Sequence, residues 1–312
     1  MIQLEDVGHV AYAVPDLAVA ERFLTDFGLE VSARTADRIY FRAAAARHHV
    51  YVAVKADESR FIGTALDVAS KADLDLASRT IPGAGPVVET GEPGGGWRVT
   101  LKTPNGHTIW LDYGVARLDP LPTDPITPLN FHGAPLRINR SVRGRARRIS
   151  VLRFGHFVLQ VPDCKAEINW FINHFNLTPS DFLGSDEGSE PVVFGAFLRL
   201  AKGAQLVDHH CILINQSRFF GCHHSSFEVA DLDTVMAGHE YLETLGYNLD
   251  AGVGRHMLGS LIYDYWLDPF GQRIEHFTDT DVINDEFVPS YFNGSADETT
   301  QWGMAPDASF FD

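Results

Sequence analysis

The sequence predicts an α+β fold made from two copies of one strand-and-helix module. Three observations predict it. GHVAYAVPDL, from Gly8, returns as GHFVLQVPDC from Gly155. Each copy runs into a segment with apolar residues at three- and four-residue spacing, DLAVAERFLTDFGL and DCKAEINWFINHFNL. Each half then closes on a Pro-Xaa-Gly turn and a further strand, TPNGHTIWLDY and DPFGQRIEHFTD. Self-similarity on this scale decides architecture before any local reading does.

The elements follow in order. Alternating apolar residues after each Gly-His argue a half-buried strand. Pro-Asp ends that strand and opens a helix, because proline suits the first turn and aspartate a helix N-terminus. A short Gly or Asn segment closes each helix. A strand opening with His-His follows in each half, HHVYVAV from His48 and HHSSFEVADL from His223. Laying the halves over one another sets His9, His49 and Trp110 against His156, His224 and Glu275.

Five prolines (Pro120, Pro122, Pro125, Pro128 and Pro135) stiffen the connection between the copies. The arginine-rich RINRSVRGRARR after them reads as a solvated linker or as a contact to an acidic face of another subunit. Past Asp281 the chain turns polar, but Trp302, Phe310 and Phe311 predict that the tail packs back on the body. The expected organisation is a metal-free N-terminal module pair over residues 1–135, an Arg-rich linker over 136–150, a catalytic module pair over 151–285 and a tail over 286–312.

Composition excludes several function classes. Lys and Arg number 25 against 41 Asp and Glu, so the net charge of −16 argues against a nucleic-acid partner. No apolar run approaches the roughly 20 residues of a membrane span. The N-terminus enters a strand pattern at once, with no signal peptide. Three irregularly spaced cysteines (Cys164, Cys211, Cys222) do not make a disulfide framework. A cytoplasmic location is expected.

The chemistry rests on His156, His224 and Glu275, each in a short apolar strand. Two imidazoles and one carboxylate cover one face of an octahedral metal and leave adjacent positions open, the ligand set of non-haem Fe(II) oxygenases. An indole cannot ligate, so Trp110 predicts a first half without metal. A single His in an apolar strand is usually a packing residue, and His9, His48 and His49 are read that way. Cys222 is also taken as packing, since soft sulfur suits zinc better than an O2-activating metal.

Two further stretches carry a family resemblance: GRHMLGSLIYDYWLDPFGQRIEHF from Gly254, and DHHCILI from Asp208. With the doubled module and the three ligands, they resemble the type I extradiol catechol dioxygenases of the vicinal oxygen chelate superfamily. The resemblance implies tandem βαβββ modules forming two barrel-like domains. It implies Fe(II), with Mn(II) admissible, at His156, His224 and Glu275. It gives His209, preferred to His210, as the acid/base, His256 as a group stabilising the ionised catechol oxygen, and Tyr265 as a hydrogen-bond donor to substrate. The implied substrates are a substituted catechol and O2, the product a muconic semialdehyde from aromatic catabolism, and the assembly a homo-tetramer or octamer. Val158 departs from the branch that cleaves homoprotocatechuate, where an Asn stands. Two other readings are a Lewis-acid isomerase or thiol transferase and a non-catalytic small-molecule binder. The complete triad and the added His209, His256 and Tyr265 weigh against both.

Overall fold

The structure, a computed structural model, describes residues 1–294, 297–306 and 310. The first half comprises β1 (Leu4–Val14), α1 (Leu17–Phe27), β2 (Glu30–Arg34), β3 (Arg38–Arg42), β4 (Tyr51–Lys55) and β5 (Arg60–Val68). It continues through α2 (Lys71–Thr80), β6 (Val88–Glu89), β7 (Trp97–Lys102) and β8 (Thr108–Tyr113). The second half opens with β9 (Arg153–Val161), α3 (Cys164–His174), β10 (Leu177–Ser185), β11 (Val192–Leu200), β12 (Val207–Asp208) and β13 (Ile212–Gln216). Then come β14 (Gly221–Glu228), α4 (Leu232–Thr244), β15 (Asn248–His256), β16 (Ile262–Leu267), β17 (Arg273–Thr278) and β18 (Val282–Ile283). Two late strands, β19 (Ser290–Phe292) and β20 (Thr300–Gly303), follow. Each half is thus two βαβββ units whose first strands, β1 with β5 and β9 with β14, pair antiparallel at the centre of one sheet.

The Val-Pro-Asp punctuation does what its chemistry predicts. Asp16 caps α1 by accepting from the Ala18 and Val19 amides, and Asp163 caps α3 by accepting from Ala166. Such a cap contributes about 1 kcal/mol by satisfying an orphan helix amide. Gly28 ends α1 at φ +117°, a backbone state that a side chain would strain. Ala20, Phe23, Leu24 and Phe27 form the buried stripe of α1. Each large side chain there stabilises by about 2 kcal/mol.

One apolar core runs through both halves. Phe27 joins them: its ring stacks on His276 at 3.7 Å between centroids, and its carbonyl accepts from His276 Nε2 at 2.7 Å. Between β8 and β9 the chain forms no strand, and Ile126, Leu129, Phe131, Leu136 and Ile138 are exposed there. Arg147 and Arg148, at its end, bind Asp124 and Glu30 within the same chain. The tail does return to the body. β19 adds to the edge of the second sheet beside β10 and β20 to the opposite edge beside β15. Phe311 lies outside the described residues. Among the described residues no helix is long and apolar enough to cross a membrane.

Strand pairing corrects the sequence alignment of the two halves. His48 and His49 precede β4, which pairs parallel to β1 through Val10 and Tyr51. His209 and His210 precede β13, which pairs parallel to β9 through Phe157 and Ile212. His49 therefore corresponds to His210, not to His224. The counterpart of His224, opposite Val158, is Gly63, opposite Ala11. Trp110 keeps its place: it pairs with Ala65 as Glu275 pairs with Ser226. The first half thus lacks the equivalents of two of the three candidate ligands, with Gly63 and Trp110 in the places of His224 and Glu275.

Candidate metal centre

Sheet register assembles the three side chains. β14 lies between β9 and β17, and Ser226 on it is opposite both His156 and Glu275. His224, two residues before Ser226, lies on the same face because strand side chains alternate. The donors form a near-equilateral triangle. His156 Nε2 is 3.2 Å and His224 Nε2 3.4 Å from Glu275 Oε2, and the two imidazole nitrogens are 3.4 Å apart.

All three groups are buried, and Glu275 is 0% exposed. Among the described residues no group donates to either oxygen of its carboxylate at full hydrogen-bond geometry, although the Tyr265 hydroxyl interacts with it. A buried carboxylate so poorly matched costs several kcal/mol, so this donor set fits a cation. His224 is suited to ligation. Burial, and then its imidazole neighbours, hold it well below the usual histidine range, so the ring is neutral, as ligation requires. Its other nitrogen meets His223 Nδ1 at 2.7 Å, which fixes the ring's orientation.

Tyr265 on β16 is opposite Glu275 on β17, and its hydroxyl lies 2.9 Å from His256 Nε2. The His256 ring stacks on Tyr263 at 4.2 Å. Burial pushes His256 down to about 4, so it is neutral at pH 7. Burial, and then Glu275, raise Tyr265 well above the ordinary phenol value, so it stays a hydroxyl donor.

The structure corrects the choice between His209 and His210. Both lie between β12 and β13, outside the strands. His210 lines the cavity above the triangle, with its ring 4.4 Å from that of His156. His209 does not line it, and its Nε2 instead lies 2.9 Å from Asp181. Burial opposes the Asp181 charge, but hydrogen bonds from His209 and Ser290 outweigh it and hold this carboxyl below its usual range.

These partners fix the ring protons. A carboxylate only accepts, so His209 Nε2 carries hydrogen and its Nδ1 is bare when neutral. That Nδ1 lies 3.1 Å from His210 Nδ1, which must then donate. His210 is left with a lone pair on Nε2. Neither Asp181 nor His223 was singled out from the sequence. The signal for His223 was the His-His dipeptide, in which one ring orients the other; no short-range pattern marks Asp181.

The cavity has a volume of about 280 Å³. Phe310 closes one side: its carbonyl lies 2.5 Å from His223 Nε2 and its ring 4.8 Å from that of Tyr265. A second cluster, His9, His49 and Glu92, lies in the first half, its donor atoms within 4.8 Å of one another. There Arg38 at 2.8 Å and Arg98 at 3.3 Å already neutralise Glu92.

Residues 153–276 match the Glyoxalase/Bleomycin resistance protein/Dioxygenase superfamily. Metapyrocatechase 2 of Cupriavidus necator is 29% identical over 315 residues, which span 96% of this chain and 89% of that protein. The Mn(II)-bound glyoxalase from Novosphingobium aromaticivorans superposes with a TM-score of 0.81 at 23% identity, covering 100% of this chain and 95% of the other. The 2,3-dioxygenase LapB from Pseudomonas sp. KL28 gives 0.75 at 20% identity, over 94% and 98% of the two chains. Homoprotocatechuate 2,3-dioxygenase from Brevibacterium fuscum, complexed with 3,4-dihydroxyphenylacetate, gives 0.80 at 17% identity, over 99% and 92%. At these identities the structural likeness establishes the fold and leaves chemistry to the site.

Proposed function

We propose that the chain, whose residues 153–276 match the Glyoxalase/Bleomycin resistance protein/Dioxygenase superfamily, is an extradiol dioxygenase that opens a substituted catechol with O2. The observation that carries this reading is the triangle of His156, His224 and Glu275, buried at one cavity and completed by a carboxylate without a full hydrogen bond. The relationship to metapyrocatechase 2 along nearly the whole chain supports it.

We take His156, His224 and Glu275 as ligands of Fe(II), a set that also accepts Mn(II). A divalent metal held by these three residues would activate the bound catechol toward O2. The remaining work falls to the chain's own groups. His210 Nε2, bare and facing the cavity, takes a proton from a catechol hydroxyl and returns it when an oxygen needs it. Asp181 and His209 hold His210 in that tautomer. Tyr265 donates to a substrate oxygen, and His256 orients the Tyr265 hydroxyl. Phe310 and the apolar walls exclude water, which strengthens each of these interactions.

The test is anaerobic reconstitution with Fe(II), and separately with Mn(II), followed by oxygen uptake on addition of catechols. One O2 consumed per catechol, with a yellow ring-opened product, is expected. A loaded protein that consumes no O2 but isomerises a thiol adduct overturns the reading in favour of Lewis-acid chemistry.

A further inference from the structure

Resting on the ring-cleavage reading, we infer that the catechol carries an uncharged apolar substituent, an alkyl chain or an aryl ring, and that a carboxylated side chain is rejected. Sheet order divides the cavity into two sides around the triangle. On one side of β9, β14 and β17 lie β16 and β15, bringing the polar Tyr265 and His256. On the other lie β13, β11, β10 and β19, in that order, bringing Leu213, Phe197, Leu183 and Phe292. The ring's hydroxyls belong with the triangle and the polar side. The substituent then extends along the apolar side.

A carboxylate placed there would find no cation. Among the described residues no Lys or Arg lines the cavity. Ser295, Ala296, Asp307, Ala308, Ser309, Phe311 and Asp312 lie outside the described residues, and that stretch of sequence also contains no Lys or Arg. Arg273, on β17, is engaged by Asp250 at 2.5 Å, and Phe310 covers its guanidinium at 4.1 Å. The imidazoles are committed as well: His210 to His209, His223 to His224, and His256 to Tyr265. The polar groups on the apolar side, Asn215 and Asn293, are neutral. A volume of about 280 Å³ sits at the small end of ligand cavities, which suits a short chain or one further ring.

The experiment compares kcat/KM of the Fe(II)-loaded full chain for catechol, 4-methyl-, 4-ethyl- and 4-propylcatechol, 3,4-dihydroxyphenylacetate and its methyl ester. Each added methylene is expected to raise kcat/KM about three- to fourfold until the wall is filled. The free acid is expected at least ~100-fold below its ester, because the charge is desolvated without a partner. Acid turned over as well as ester, or better, overturns the apolar-substituent inference and leaves ring cleavage standing. Oxygen uptake with none of the six overturns ring cleavage itself, and the inference with it.

Discussion

His209 and His210 meet through their Nδ1 atoms at 3.1 Å, yet it is the second ring that lines the cavity while the first turns to Asp181. With Asp181 the pair makes a chain of acceptor, orienting ring and, in the proposed mechanism, presented base. Three variants separate these roles. His210→Phe should retain metal and lower kcat by about 10² or more, the usual contribution of a positioned acid/base. Asp181→Leu frees His209 to change tautomer and should cost about 10-fold, as loss of an outer partner does. Asp181→Asn keeps an acceptor for His209 and should recover most of that loss. Steady-state kinetics beside metal analysis checks this, and equal losses in Leu and Asn variants would reduce Asp181 to a packing role.

Metal content distinguishes the two His/Glu clusters. Glu275 is buried with no donor at full hydrogen-bond geometry, whereas Glu92 is already matched by Arg38 and Arg98. A dication beside those two guanidiniums faces like-charge repulsion at low dielectric. We expect one metal per chain by elemental analysis. Glu275→Ala should lose it, and Glu92→Ala should keep it. Two metals per wild-type chain, falling to one in Glu92→Ala, would assign a site to the first half.

The three candidate ligands were legible as two His and one Glu in short apolar strands of the second half, although strand parity alone does not mark Glu275, which shares a face with Arg273. Val-Pro-Asp fixed where β1 and β9 stop, and the closing turns aligned Trp110 with Glu275. The His-His pairs were harder. The dipeptide occurs at His48, His209 and His223, and identity of letters does not say which strand follows. The copy at 209–210 lies between β12 and β13, where two-residue periodicity has no meaning. Only the parallel pairing of β13 with β9 shows which ring faces inward. Glu92 and Asp181 reach their partners across the sheet, and no short-range pattern marks such contacts.

His239 on α4 gives a pH-dependent stability term outside the triangle. Its Nδ1 lies 2.8 Å from Asp264. That hydrogen bond raises its pKa above the usual 6.5 despite burial, with Glu243 and Glu240 adding to the effect. A folded-state pKa above the unfolded one stabilises most where both states are protonated. The contribution is therefore complete below about pH 6.5 and fades as pH rises through the folded value. His239→Gln should lower stability by about 1 kcal/mol at pH 6, after discounting for partial exposure, and by less at pH 9. Denaturant unfolding of both proteins at the two pH values measures this. A gap that widens with pH would contradict the assignment.

The glycine before each first-strand histidine has a packing cause in the second half. A Cβ on Gly155 would lie 2.4 Å from the Cε1 and Cζ atoms of Phe277. Phe277 is 1% exposed, and its ring centroid is 5.2 Å from that of His156. The ring cannot retreat without moving either β17, which carries Glu275, or His156 itself. Gly155→Ala should therefore cost about 1–3 kcal/mol of stability through overpacking. It should also weaken metal binding about 10-fold by spreading the triangle. Adding Phe277→Leu removes ring atoms at the clash and should restore part of both losses. Unfolding and metal titrations on the single and double variants decide the point. A Gly155→Ala protein with wild-type stability and metal affinity would show that Phe277 has room to move, and that the shared Gly-His has some other origin.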